Sequence, residues 1–312
     1  MPDSCDVLLA TFNGAPFLAE QLDSLLAQDR DDFRVLARDD GSTDGTADIL
    51  ADYLPKFGGR MTILPTENGS GSATANFGIL MAASDAERLL FCDQDDVWGP
   101  RKVGLTLDLL DAAVAERGPD VPALVFTDVT PVDAALRPLG DSFWAYKKVR
   151  PEVSADLRAS LVCGTLLGCA MAVNRATAAR ALPFPSDQIP GHDWWMQLIA
   201  CGLGTVRYSA ERTMRYRLHG GNASGQKPVS TLAYATASGR AARVRRGMSR
   251  RYDQAAALLT RLDDELPAEA RQTVEAFLAT RDLGPVTKRW KLWSGRFLYP
   301  DWQRNLAMLA LV

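Results

Sequence analysis

The sequence predicts an α/β protein: a mainly parallel central sheet flanked by helices, followed by a helical C-terminal extension. Through residues 1–127 short apolar runs alternate with amphipathic stretches, the rhythm of a parallel sheet with helices on both faces. Acidic residues fall just after those runs, at Asp39-Asp40 and at Asp93, Asp95 and Asp96, where such sheets bind ligands. Charge is also partitioned. Residues 1–225 carry 20 Lys/Arg against 30 Asp/Glu, and residues 226–312 carry 15 against 8. An acidic body therefore precedes a basic extension.

Val7–Ala10 reads as a buried strand. Pro16 suits the first turn of a helix, and Phe17, Leu18, Leu22, Leu25 and Leu26 give that helix an apolar stripe. Phe33–Ala37 is the next strand; Gly41 permits a tight turn, and Ser42, Thr43 or Asp44 caps a helix over Ala47–Leu54. Met61–Leu64 is a third strand, Thr74–Ala83 a helix, and Arg88–Cys92 a fourth strand. Pro100 opens another helix, and Ala123–Thr127 is a fifth strand. Leu161–Val173 is apolar and reads as buried strand structure. Asp193–Gly202 reads as a helix entered from Pro190-Gly191, and Gly204–Ser209 as a short strand. From about Pro228 the chain is Ala/Arg-rich and helical.

With 47% apolar and 23% charged residues the chain can bury a globular core. A net charge of −3 gives no argument for nucleic acid. Five cysteines form no Cys-x-x-Cys pair, which fits core thiols in a reducing cytosol better than disulfides or zinc. The start of the chain has no basic, apolar leader, and no apolar run reaches the roughly 20 residues that span a bilayer. A cytoplasmic protein is expected, with membrane contact at most peripheral.

Three carboxylates packed at the end of a buried strand repel one another. Asp93, Asp95 and Asp96 therefore suit a hard divalent cation, Mn²⁺ or Mg²⁺; the bland alternative is a solvated acidic loop. Asp39 and Asp40 exceed what a helix cap needs, and one of them can accept the N3–H of a pyrimidine. Thr11-Phe12-Asn13-Gly14 is a turn after the first strand, as Asn-Gly commonly is. Asp193 sits at a helix start, where backbone N–H groups keep a carboxylate ionised. It is the candidate general base, with a plain N-cap as the alternative. Trp194 and Trp195 are adjacent, so they cannot face the same way on a helix; one packs and the other lines an acceptor cleft. His192 and His219 are the only histidines. Arg215 and Arg217 alternate around Tyr216 on an extended stretch leading to the Gly-rich segment at His219–Asn222, where they face either phosphates or solvent.

The ordered set Ala10–Gly14, Asp39–Asp44, Asp93–Trp98, His192–Trp195 and Tyr216-Arg-Leu-His219 resembles family 2 of the inverting glycosyltransferases, most of all bacterial rhamnosyltransferase-type members that build surface polysaccharides. The resemblance covers roughly residues 5–225. It implies a GT-A fold, a dTDP- or UDP-sugar donor with rhamnose favoured, and a glycan or lipid-linked saccharide acceptor. It implies that Thr11, Phe12 and Asn13 line the nucleoside pocket and that Asp39 and Asp40 hold base and ribose. Asn76 and Arg217 join the nucleotide-sugar side. Asp93, Asp95 and Asp96 serve metal and ribose, with His219 near the metal or diphosphate. Asp193 is the base, and Trp98, His192, Trp194 and Trp195 form the acceptor side. A catalytic domain over 1–225 is expected, its nucleotide half at about 1–127 and its acceptor half at about 128–225, with an extension over 226–312. Two other readings stand beside it: a nucleotidylyltransferase, which wants a cationic Gly-rich loop after the first strand, and an inactive sugar-nucleotide-binding module.

The extension carries a crowd of arginines from Arg240 to Arg251, then Lys288–Tyr299, where Lys and Arg interleave with Trp, Phe and Tyr. Such a pattern suits an anionic bilayer surface as well as it suits a helical bundle with a solvated face.

Overall fold

The computed structural model describes residues 4–220 and 237–312. The first half runs β1 (Cys5–Thr11), α1 (Ala15–Leu26), β2 (Arg34–Asp39), α2 (Thr46–Tyr53), β3 (Met61–Ile63), α3 (Ala73–Ala83), β4 (Arg88–Asp93), β5 (Val97–Trp98), α4 (Lys102–Arg117) and β6 (Ala123–Val132). The second half runs α5 (Phe143–Lys147), α6 (Leu157–Val162), β7 (Met171–Asn174), α7 (Arg175–Ala181), α8 (His192–Leu203) and β8 (Thr205–Arg217), then α9 (Ala237–Leu262), α10 (Ala268–Leu278), α11 (Pro285–Ser294) and α12 (Trp302–Leu311).

The eight strands form one sheet in the order β3-β2-β1-β4-β7-β6-β8-β5. β1, β2, β3 and β4 pair in parallel, as does β6 with β8, whereas the β4–β7, β6–β7 and β5–β8 pairs are antiparallel. Register does the positioning. Thr11 lies opposite Asp39 and Ala10 opposite Asp93, so the carboxyl ends of β1, β2 and β4 open side by side. Val7, Leu8 and Leu9 are fully buried because helices cover both faces.

Three local readings change. Leu161–Val173 is not continuous strand: α6 fills its start and β7 only its end. An apolar run has no period of its own to choose between helix and strand. Asp156 makes the choice for α6 by accepting the Arg158 N–H at 2.8 Å. The short strand after Gly204 instead runs to Arg217, because its polar second half pairs with both β6 and β5. Helix α2 has Gly45 at its N-cap, at φ +90°, and Asp44 accepts from the Thr46 N–H and hydroxyl.

The C-terminal helices pack on the body. Tyr252, Leu258 and Leu262 of α9, Phe277 of α10, Leu292 of α11 and Met308 of α12 share one buried cluster with Trp195, Leu198 and Ile199 of α8. Each such side chain contributes about 1.5–3 kcal/mol when fully buried, so the bundle is built into the fold. The helical start expected from Pro228, the 225/226 boundary and the Arg240 side chain lie outside the described residues. Among the described residues no helix is long and apolar enough to cross a membrane.

Candidate active site

The strand ends open into a cavity of about 360 Å³ lined by Ala10, Thr11, Phe12, Asp40, Gly69, Gly71, Ser72, Ala73, Asn76, Asp93, Gln94, Asp95 and Tyr216. One wall starts at Asp40. That carboxylate pairs with the buried Arg38 at 2.7 Å and accepts the Ser70 and Gly71 N–H groups at 2.5 and 3.2 Å. Burial pushes its pKa up, but the bonds from Ser70 and Arg38 outweigh it and leave it lowered. Asn76 faces the same arginine: its Oδ1 accepts from Arg38 at 2.8 Å and its Nδ2 donates to the Arg38 carbonyl. The loop at Gly69–Ser72 was not singled out by the sequence, although its Gly-Ser-Gly-Ser composition marks a turn. A Cβ on Gly69 would lie 2.7 Å from the Asp40 carbonyl oxygen, so only glycine lets the loop close on that acid.

Asp39 has a different place from Asp40. It accepts the Thr11 hydroxyl at 2.9 Å and the Ser42 N–H at 2.8 Å and is not part of the cavity wall. It ties the β1 and β2 ends together. Asn13 likewise works inside the turn: at φ +49° its Oδ1 accepts the Thr43 N–H. Phe12 stands 56% exposed at the rim. Its backbone N–H and carbonyl are held at 2.8 and 2.9 Å by the Gln94 side-chain amide. Gln94 is a site residue that sequence reasoning missed. It locks the β1 turn to the acid cluster, and a Cβ on Gly14 would sit 2.1 Å from its Oε1.

The acid cluster separates by depth. Asp93 and Asp95 face the cavity. Asp95 meets His219 Nε2 at 2.7 Å. Burial and the neighbouring Asp95 carboxylate push Asp93 up to about 7, with Asp193 adding in the same direction. That coupling brings the start of α8 to the acid cluster. Asp96 lies deeper than the other two. It is fully buried and off the cavity wall; its Oδ1 accepts the Arg217 backbone N–H at 3.0 Å, and its side chain lies beside the Cys169 thiol. Burial, then Asp95 and Asp93, hold it well above the usual carboxylate range. Beneath lies the buried Lys102, its Nζ 4.7 Å from the Trp98 ring centre and 3.4 Å from the Thr213 hydroxyl. Burial lowers its pKa to about 8. Its position on the first turn of a helix gives a sequence reader no sign of burial.

The remaining candidates divide. Arg217 is 1% exposed and does not reach into the cavity. Its Nε donates to the Asp95 carbonyl at 2.7 Å, its NH1 to the Ala134 carbonyl at 2.5 Å, and its NH2 to Glu20, with Phe17 stacked 4.6 Å away. It shapes the acid loop. Arg215, two residues away, is exposed. Trp98 is buried against Lys102, and Trp195 is fully buried with its indole N–H on the Ala181 carbonyl; neither lines an open cleft. His192 is packed against Phe77 and Phe91 at 4.4 and 5.4 Å, and burial lowers its pKa. Trp194 alone of these four is half-buried on an open cavity. Asp193 stands on the first turn of α8, accepts the Trp194 N–H at 2.8 Å and is half-buried.

Metal chemistry fits the cavity-facing set. Asp95 and His219 already converge to hydrogen-bond distance, and Asp93, raised by burial and then by the Asp95 charge, is a carboxyl whose ionised form a cation would favour. Asp93, Asp96 and Cys169 also converge, within 4.8 Å. Burial holds the Cys169 thiol well above its usual pKa, so it stays protonated, and a hard ion prefers the oxygens of Asp93 and Asp95.

A sheet whose parallel half ends in an acidic cavity, with a mixed second half beside it, is a GT-A type fold. Residues 6–116 match the family model "Glycosyl transferase family 2". Over 105 residues the chain is 35% identical to the dTDP-rhamnosyl transferase RfbG of Shigella flexneri, covering 33% of this chain and 36% of that protein. It is 25% identical over 225 residues to an uncharacterized glycosyltransferase of Nostoc sp., covering 69% and 65%. The chain thus spans about a third to two thirds of these relatives' lengths. Among solved structures it superposes on Staphylococcus aureus TarS 1–349 with TM-score 0.57 and 17% identity over 89% of this chain and 71% of that one. It superposes on the mannosyltransferase PcManGT of Pyrobaculum calidifontis, solved with GDP-Man and Mn²⁺, with TM-score 0.54 and 18% identity over 100% and 86%. Over residues 6–116 the chain is therefore similar to the family 2 glycosyltransferases.

Proposed function

We propose that the chain is a metal-dependent inverting transferase that moves a sugar from a nucleoside diphosphate to an acceptor hydroxyl. The observation that carries this is the convergence of Asp40, Asp93 and Asp95 on one cavity, with Asp193 close enough to raise Asp93. Asp40 and Asn76 take the base side, and Asp93 lies where a ribose or diphosphate follows. Asp93, Asp95 and His219 would hold Mn²⁺ or Mg²⁺, as the Asp-x-Asp spacing of Asp93 and Asp95 suits. When bound, the ion neutralises charge on the departing nucleoside diphosphate. Asp193 accepts the proton of the acceptor hydroxyl as that oxygen attacks the anomeric carbon on the face opposite the nucleotide.

The nucleotidylyltransferase reading loses support at the β1 turn. The N–H groups of Phe12, Asn13, Gly14 and Ala15 are all engaged by the side chains of Gln94, Ser42, Thr46 and Asp44, so that turn offers no phosphate cradle.

Similarity to a dTDP-rhamnosyl transferase supports rhamnose as the sugar, while UDP-GlcNAc and GDP-Man in the neighbouring structures support a nucleotide-sugar donor generally. A glycan or lipid-linked saccharide of surface polysaccharide assembly is the acceptor under this reading, reached from the cytoplasmic membrane face. The exposed Trp290, Trp293 and Trp302, beside Lys288, Arg289 and Lys291, suit peripheral attachment there. The test is a panel of dTDP-, UDP- and GDP-sugars with Mn²⁺, read by donor hydrolysis and transfer, in wild type and Asp193→Asn. Transfer should fall at least on the order of 10²-fold in the variant while donor binding persists. Near wild-type turnover would move the base elsewhere.

A further inference from the structure

A second cavity, of about 480 Å³, lies between α8 and the C-terminal helices. Its cations are Arg243 and Arg251 of α9 and Arg304 of α12; Trp194 and Tyr299 form its aromatic wall. Neither Asp nor Glu is among the described residues that line it. Three guanidiniums with no carboxylate among the described lining give the cavity a positive field, and the guanidinium fork matches phosphate oxygens.

The inner wall is held in place, while Arg243 and Arg304 stand exposed at the mouth. Arg251 donates to the Val162 carbonyl at 2.5 Å and to the Tyr299 hydroxyl at 2.6 Å. Its guanidinium carbon lies 5.6 Å from the Trp194 ring centre and 5.5 Å from that of Tyr299, within cation–π range. The Trp194 indole is anchored on the Ser160 carbonyl at 2.6 Å. A Cβ on Gly164 would lie 2.8 Å from that indole, so glycine lets the wall close. Trp194 directly follows Asp193 along α8, and consecutive Cα atoms are about 3.8 Å apart. The aromatic wall therefore begins one residue from the candidate base.

We propose that this cavity is a subsite for a phosphate or diphosphate group carried by the acceptor. The assignment to an acceptor rests on Asp193 acting as the base of glycosyl transfer.

Inorganic pyrophosphate, titrated calorimetrically into the full chain in metal-free buffer with chelator, is the probe. Chelation removes the cation through which the donor site would hold it. Wild type should bind, and Arg243→Gln/Arg304→Gln should bind at least tenfold more weakly; Arg304→Gln alone should show part of that loss. Arg246→Gln/Arg250→Gln removes the same charge from exposed positions of α9 outside the cavity and should leave pyrophosphate binding within twofold. Equal binding by wild type and the cavity variants, or equal loss in the control, overturns the subsite. Vesicles of phosphatidic acid and of phosphatidylserine, matched in charge, separate the sources. Selective loss of phosphatidic acid binding in the cavity variants assigns a lipid headgroup. Loss of pyrophosphate binding alone assigns a phosphate that projects into solution. Donor hydrolysis by wild type with Mn²⁺ is read independently. Its absence across the sugar panel overturns the transferase reading, and with it the link to an acceptor, even where pyrophosphate binds.

Discussion

Arg217→Lys tests whether the buried arginine shapes the acid loop or holds the donor. Lysine keeps the charge but loses the planar fork. The native guanidinium serves the buried carbonyl of Asp95 at 2.7 Å and the part-buried carbonyl of Ala134 at 2.5 Å. Hydrogen bonds to a charged group contribute about 1.5–3 kcal/mol each, and one ammonium cannot reach both along the original directions. The Glu20 leg counts for little, since that carboxylate side chain is 54% exposed. Part of the stacking on Phe17 is lost as well. The expected destabilisation is therefore about 3–5 kcal/mol, the range for disrupting a buried charged network. Urea unfolding of the metal-free protein measures it. Because the same arginine anchors the backbone of Asp95, Mn²⁺-dependent binding of a nucleoside diphosphate should weaken too, read by calorimetry under folding conditions. Stability within 1 kcal/mol of wild type, combined with a large loss of nucleotide affinity, would refute this reasoning. Arg217 would then reach the diphosphate, as its place in the sequence suggests.

Three further outcomes are expected. Asp95→Ala should abolish the enhancement of nucleoside diphosphate binding by Mn²⁺, and equal enhancement in calorimetry would remove Asp95 from the metal set. A carboxyl raised to about 7 gives metal-free stability that is present below its ordinary value near 4 and lost as pH rises through 7. Metal-free melting temperature should therefore fall across that window while the increment given by Mn²⁺ grows, because metal and proton compete for the carboxylate; an increment independent of pH would contradict it. Trp290→Ala/Trp293→Ala should leave melting unchanged, since both indoles are more than half exposed, yet reduce co-sedimentation with anionic vesicles at low salt; undiminished sedimentation would make this face something other than a membrane contact.

The fold of residues 1–127 was legible because each of its features is local. Strand length, apolar content and the acids that follow each strand sit within a few residues of one another, and parallel register carries them to one edge. The same locality failed at the acid cluster. Asp93, Asp95 and Asp96 look equivalent in sequence, but the chain turns after β4 and sends Asp96 inward beneath Arg217. What distinguishes them is a partner 121 residues away, which spacing alone cannot report. Lys102 and Gln94 were missed for a related reason. One is a buried lysine and the other a surface-type amide, and each takes its meaning from contacts with β8 or with the β1 turn.

The segment His192–Trp195 shows what helical phase decides once a helix is recognised. Residues i, i+3, i+4 and i+7 share a face; here those are His192, Trp195, Met196 and Ile199, all buried. The core claims that face, which is why His192 sits among phenylalanines and Trp195 fills the interior. Asp193 and Trp194 fall on the remaining arc, about 100° apart. The neighbours differ in surroundings: Asp193 is within electrostatic reach of Asp93, and Trp194 lines the arginine-lined cavity. A helix that must bury one stripe can still present consecutive residues to two surroundings, so α8 lies between the acid cluster and the basic C-terminal helices.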